Sequence, residues 1–155
     1  MNYMMEAANK HKWKLLIKRV VKHTEHKGQL KQIAMWGLFA LEEIPPGAYV
    51  LEYTGEVLTK KEGDNRGTNY DKIGLNYLFD MNDPDEQDSF EMKVQEAFND
   101  NFFPLCIDAT YCGNESRFIN HSCDPNLKSF NLITSSEAYT YHKIGLFASR
   151  KISLG

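Results

Sequence analysis

Near the N-terminus the apolar residues recur at helical spacing. In KHKWKLLIKRVVKH, residues 10–23, Trp13, Leu16, Ile17, Val20 and Val21 stand at i, i+3, i+4, i+7 and i+8, and lysines cover much of the remaining surface. This spacing predicts a basic amphipathic helix that ends before Gly28. Docking on its own domain would satisfy such a helix, and so would a membrane surface or a partner protein. From Ile33 onward the pattern changes to short strands. AYVLEYTGEVL (48–58) follows a turn marked by Pro45, Pro46 and Gly47, and NYLFDM (76–81), LCIDATY (105–111) and YHKIGLFASRKI (141–152) read as further strands. Gly63, Asp64, Asn65, Arg66 and Gly67 predict a loop. Between the second and third strands runs an acidic stretch with Asp80, Asp83, Asp85, Glu86, Asp88, Glu91, Glu96 and Asp100. Residues 88–98 within it suit a short helix built on Met92, Gln95 and Phe98. No internal repeat is present. The pattern is mainly β, with few helices and long irregular connections.

Composition narrows the class. The chain has 155 residues, 42% hydrophobic and 25% charged, which suits one ordinary globular domain with a real core. No run approaches the ~18 apolar residues of a membrane span, and MNYMMEAANKHKWK lacks the apolar core and cleavage site of a secretory signal. Cys106, Cys112 and Cys123 are too few for a disulfide framework, so the expected compartment is reducing and intracellular. The formal charge of -3 divides unevenly. Residues 1–31 carry a net +6 and the remainder a net -9. An acidic body favours a basic partner over nucleic acid, although solubility alone also accounts for its sign. A nucleic-acid binder built on the basic helix is disfavoured, because no patch interleaves aromatic and basic residues.

The stretch richest in chemistry is RFINHSCDPN, residues 117–126. Three readings compete for it. Cys123 and His121 suggest a nucleophilic pair, but catalytic Cys and His normally converge from distant sequence, and two residues apart they diverge on an extended chain. A zinc site is the second, for which Cys and His at ligand spacing are too few to close a tetrahedron. The third is a polar turn, with Asn120 and His121 satisfying backbone or ligand groups while Asp124 and Pro125 turn the chain.

Four segments in order change the balance: WGLFALEEIPPGAYVLEYTGEV, NYLFDM, CIDATYCGNESRFINHSCDPNL and IGLFASRKISLG. The series resembles the SET-domain protein-lysine methyltransferases, and within them most closely the Su(var)-type histone H3 methyltransferases. The likeness covers residues 18–155, with a weaker match at KRVV near Arg19. It implies a SET-domain fold of several small curved sheets, with RFINHSC threaded under a neighbouring loop as a C-terminal pseudoknot, a rare arrangement. Residues 1–31 then form a basic, helical extension and residues 32–155 the SET domain. The resemblance also implies S-adenosyl-L-methionine on one face and, on the other, a histone H3 tail or another basic lysine-containing peptide added to a sheet edge. The lysine reaches the methyl group through a narrow channel, and the enzyme works in the nucleus on chromatin. Neither a membrane nor a direct nucleic-acid site is implied. A protein partner for residues 10–23 is compatible with this picture.

Site residues follow from the same resemblance. Met35, Trp36 and Gly37 match the Gly-x-Gly strand whose backbone holds the cofactor. Asn120 and His121 match the pair that contacts its adenine and methionine parts. Tyr77 matches the aromatic that lines the lysine channel, touches the cofactor and serves in catalysis. Arg117 and Phe118 read as structural, Glu56 as a strand tie, and Cys106 and Cys112 as small buried hydrophobes. The sequence departs from the family in three ways. Met35 stands where the first glycine belongs, and its side chain would crowd a close backbone approach. The stretch after KISLG, which in the family resembles GEELTFDY and ends in the main catalytic tyrosine, has no counterpart within these residues. Cys123 matches a zinc ligand whose partners lie in a cysteine-rich tail, so zinc is expected only in a longer form; the nine-cysteine cluster that precedes the domain is also missing. Two function classes result. One is a histone-lysine methyltransferase, with little turnover expected from these 155 residues alone. The other is a non-catalytic or truncated SET module that acts by binding a partner.

Overall fold

The computed structural model describes residues 12–26, 29–75, 77–80, 106–135 and 140–155. The short helix expected over 88–98 lies outside them. The first element is a long hairpin of β1 (Leu15–His26) and β2 (Gln29–Ala40), paired antiparallel from Leu15 opposite Ala40 to His26 opposite Gln29. The helix expected over 10–23 is therefore corrected from Leu15 onward, and the boundary drawn between residues 31 and 32 falls inside β2. The same residues carry two periods. Read in twos, Leu15, Ile17, Arg19 and Val21 share one face and Leu16, Lys18 and Val20 the other. β-Branched Ile17, Val20 and Val21 favour the extended form, and β2 supplies the backbone partners a helix would have found within itself. Leu16, Ile17 and Val21 remain exposed, so they form no helical stripe docked on a core. The Trp13 indole donates to the Tyr49 carbonyl at 2.7 Å.

Two three-stranded sheets follow. One is ordered β3-β8-β7, from Tyr49–Tyr53, Thr140–Ala148 and Leu127–Ser135; the other is β4-β6-β5, from Glu56–Leu58, Cys106–Asp108 and Leu78–Asp80. The strand expected over 48–58 is thus two strands, broken at Thr54 and Gly55. β6 is central in its sheet and antiparallel to both neighbours, with Ile107 opposite Val57 on one side and Phe79 on the other. All three residues of β6 are buried.

The loop expected at 63–67 is also corrected. Those residues lie inside α1, Lys60–Ile73. Its start is a capping box in sequence: the Thr59 hydroxyl accepts from the Glu62 amide at 3.3 Å, with Glu at the third helical position. Gly74, at φ 68°, closes the helix in the left-handed region. Its internal glycines are explained by close approach. A Cβ on Gly63 would lie 3.1 Å from the Cys106 sulfur and one on Gly67 3.2 Å from Leu78 Cδ1. Helix propensity is given up so that α1 can lie flat on the sheet.

The chain divides into two compact units. The first comprises residues 1–52, 118–130 and 145–155, with Ala40, Ile44, Val50, Leu51, Leu146 and Ala148 buried. There Ile44 and Ile152 exchange backbone hydrogen bonds of 3.0 and 2.9 Å, and Phe147 meets Tyr49 and Phe130 edge-on. The second comprises residues 53–117 and 131–144, with Tyr53, Leu58, Tyr70, Cys106, Ile107, Ala109 and Ile144 buried. Cys106 is the small buried hydrophobe expected, its thiol pushed up to about 11 by burial and by the nearby carboxylates of Asp80 and Asp108. Cys112 is not: it is exposed.

Candidate functional site

In the first unit the hairpin and the RFINHSC segment meet. β2 places Met35 and Gly37 on one face and Trp36 on the other. Gly37 is buried, and a Cβ there would come within 2.9 Å of Phe39 Cε2, 3.2 Å of Val20 Cγ2 and 3.4 Å of Asn120 Nδ2. That space is closed to any side chain. The Asn120 amide donates to the Trp36 backbone carbonyl at 2.8 Å, joining positions 84 residues apart. Glycine at 37 thus leaves room for the Phe39 and Val20 side chains on that face, while the Trp36 indole stands about half exposed. Met35 is half-buried opposite Val20, on the same face as Gly37. Lys18, opposite Gly37, holds its ammonium 3.9 Å from the centre of the Phe39 ring.

His121 and Cys123 are both exposed, and their Nε2 and Sγ atoms lie 3.7 Å apart. The two side chains therefore meet, where divergence was expected only of an extended segment, and the chain bends at Cys123 and Asp124. The bend is fastened to the end of β8. The Arg150 guanidinium donates to the Asp124 carboxylate and carbonyl at 2.9 and 3.0 Å, and the Ser149 hydroxyl donates to the Pro125 carbonyl at 3.1 Å. No group of three or more His, Cys, Asp or Glu suited to a metal ion occurs among the described residues. The pair alone therefore falls short of the four ligands a structural zinc ion takes, and no step is derived through that metal.

In the second unit Tyr77 is held by its backbone. Its carbonyl accepts from the Tyr53 hydroxyl at 2.9 Å and from the Ala109 amide at 3.0 Å. The Arg117 guanidinium lies over the Tyr77 ring, 4.3 Å from its centre. Tyr53 is buried, and its ring packs on Phe79 at 4.9 Å. Burial pushes the Tyr53 hydroxyl up to about 12; the charge of Arg117 acts downward, and Asp108, Cys106 and Tyr77 act upward. Sequence reasoning passed over Tyr53. The available signal was a tyrosine at an inward position of YVLEY, where the hydroxyl must find a buried partner.

Beneath this pair lies an ionic frame. Asp108 is 1% exposed. Its carboxylate accepts from the Thr110 amide at 2.9 Å, the Tyr70 hydroxyl at 2.9 Å and Arg66 at 3.0 Å. Burial alone would raise its pKa, but these hydrogen bonds outweigh it and hold the group below the usual carboxylate range. Arg66 also donates to Glu56 at 2.6 and 3.1 Å and to Glu62 at 3.0 Å. Glu56, lowered chiefly by its bond to Arg66, ties β4 to α1, where a tie between strands was expected. Asp108 closes β6, and the next residue, Ala109, donates to Tyr77; the ionic frame thereby fixes the mount of the aromatic.

Comparison with known proteins agrees with these motifs. The family model for the SET domain matches residues 35–155. Over 120 residues, or 77% of this chain, it is 38% identical to the histone-lysine N-methyltransferase SUV39H2 of Xenopus tropicalis and 38% identical to SUV39H1-A of Danio rerio. It is 39% identical to SUV39H2 of Gallus gallus over the same length. The chain spans about a quarter of the length of the curated relatives it matches, 25% in each of these three. With the family model covering most of the chain, the chain belongs to the SET-domain family.

Proposed function

We propose that this chain is the methyl-transfer domain of a nuclear histone-lysine N-methyltransferase that uses S-adenosyl-L-methionine. The observation that carries the reading is the Asn120 amide on the Trp36 carbonyl, with Gly37 kept free of a side chain beside it. Two motifs that the family uses for the cofactor meet there, as a hairpin strand and a polar loop. The exposed Trp36 indole, on the opposite face of β2 from Gly37, offers a flat surface for a heteroaromatic ring. Met35, Trp36, Gly37, Asn120 and His121 would hold the cofactor, which when bound supplies a methyl carbon on a positively charged sulfur.

The remaining work falls to the chain. A lysine amine, with a reference pKa of about 10.4, must lose its proton before it can act as a nucleophile. Aromatic walls desolvate it and favour the neutral form. Tyr77 is such a wall, and its doubly bonded carbonyl fixes where the ring stands. Alignment of the amine is then a matter of positioning. A basic histone H3 tail suits the acidic body of the chain, with the ninth residue of that tail as the leading target. Zinc at Cys123 belongs to this reading only in a longer form.

Calorimetry of S-adenosyl-L-methionine binding tests it. The expected result is measurable affinity that falls about tenfold in Asn120→Ala, the loss of about one hydrogen bond. A chain that circular dichroism shows to be folded, yet that binds no cofactor, would favour the non-catalytic module instead.

A further inference from the structure

β1 lies ahead of residues 35–155, which the family model matches, so the shared motifs leave its role unassigned. Its pairing with β2 decides which way its peptide groups point. The Leu41 amide donates to the Lys14 carbonyl at 2.8 Å, so Lys14 and, by alternation, Leu16, Lys18 and Val20 turn their backbone groups inward to β2. Leu15, Ile17, Arg19 and Val21 therefore turn theirs outward. The residues opposite agree. Ala40 and Trp36, paired with Leu15 and Arg19, send their carbonyls away from β1, where they accept from the Gly155 amide at 3.0 Å and the Asn120 amide at 2.8 Å. The outer edge of β2 is thus engaged at two points. Among the described residues, none pairs with the outer edge of β1 from Leu15 to Val21.

The side chains say what such an edge takes. On the face of the outward-turned residues Ile17, Arg19 and Val21 are all exposed, and the exposed Trp36 indole stands opposite Arg19. The other face repeats the order, with Leu16 and Lys18 exposed and Val20 half-buried. Each cation is therefore flanked by apolar residues along the strand. A second copy of β1 fits poorly. Paired antiparallel so that Ile17 meets Val21, it sets Arg19 against itself, and like charges directly opposite are destabilising. Phosphates of a nucleic acid would answer the charges but leave the open row of amides, Ile17 and Val21 unused. The net +6 of residues 1–31 draws an acidic partner and repels a basic histone tail. We propose that the outer edge of β1 docks an extended acidic segment of a partner protein, which adds to the hairpin as a third strand. Its acidic residues lie beside Lys18 and Arg19, and its apolar residues beside Leu16, Ile17, Val20 and Val21.

Fluorescence anisotropy of a labelled peptide against the whole chain tests this. The probe is Thr-Val-Val-Glu-Glu-Val-Val-Thr, which reads the same in both directions and so serves a parallel or an antiparallel strand. Its control carries two lysines in place of the glutamates. The wild type should bind the probe about tenfold more tightly than the control, and Arg19→Glu should remove most of that preference. N-methylation of alternate residues reads the backbone. Successive amides of a strand point to opposite sides, so of the two complementary methylated probes only the one whose methyls face β1 should lose binding. If Arg19→Glu does not fold, the methylated pair on the wild type decides. Equal effects of the two methylated probes, or a control that binds as well as the probe, overturn the inference. So does failure of the probe to bind a chain that circular dichroism shows to be folded. Binding of a short DNA duplex in preference to the probe overturns it in favour of a phosphate-binding ribbon.

Discussion

The two glycines inside α1 should respond to alanine with opposite signs. Intrinsic propensity alone favours both changes, since Gly to Ala within a helix gains about 1 kcal/mol. What differs is the neighbour. At Gly67 the new methyl would meet the end of the Leu78 side chain at 3.2 Å, which a small rotation about a side-chain bond relieves. At Gly63 it would meet Cys106 Sγ at 3.1 Å and Cβ at 3.2 Å. Cys106 is 2% exposed and stands in the central strand β6, opposite both Leu58 and Asp80. It has no room to yield, and overpacking such a site costs about 1–3 kcal/mol. Gly67→Ala is therefore expected to stabilise the chain by about 0.5–1 kcal/mol, raising Tm by roughly 2–4 °C. Gly63→Ala should instead be neutral or destabilising by up to about 2 kcal/mol. Urea denaturation followed by circular dichroism measures both, provided the slope with denaturant stays constant. If Gly63→Ala proves as stable as Gly67→Ala or more so, the close contact with β6 does not govern these positions and the reasoning is refuted.

Two further outcomes are open to measurement. Gly37→Ala should destabilise the hairpin by about 1–3 kcal/mol, because its methyl would meet Phe39 Cε2 at 2.9 Å and Val20 Cγ2 at 3.2 Å; urea denaturation measures the loss, and an unchanged midpoint would refute it. Asp108 titrates lower in the folded chain than when unfolded, so its contribution is present above the unfolded value of about 3.9 and is lost as pH falls through the folded value. In wild type the urea midpoint should then drop more steeply below pH 4 than in Asp108→Asn, and parallel profiles would remove Asp108 from the acid response.

Legibility of the chain followed the range of the interactions. Short strands at 49–53, 106–108 and 140–148 were readable because their β-branched and aromatic residues are bounded by turns or breaks. The N-terminal hairpin was not, since LLIKRVV fits both periods and the choice rests on β2, which supplies the pairing. The helix α1 left its mark in Thr59 and Glu62, but Gly63, Asp64, Asn65, Arg66 and Gly67 spoke for a loop, and only the approach to Cys106 and Leu78 explains the glycines. Within the candidate site, Gly37, Asn120 and Tyr77 were found through motif resemblance. Tyr53 and the stacking role of Arg117 were missed because each acts through Tyr77, which is distant from both in sequence.

The bond between Asn120 and Trp36 also has a consequence for synthesis. The hairpin leaves the ribosome 84 residues before the asparagine that completes it. At about 5–20 residues per second, that interval lasts roughly 4–17 s. Throughout it, Leu16, Ile17, Val21 and Trp36 sit on a nascent two-stranded ribbon, which has little stability of its own. A cell making this protein must keep that ribbon from pairing with its neighbours on the polysome, and the lysines spaced along β1 are suited to that delay.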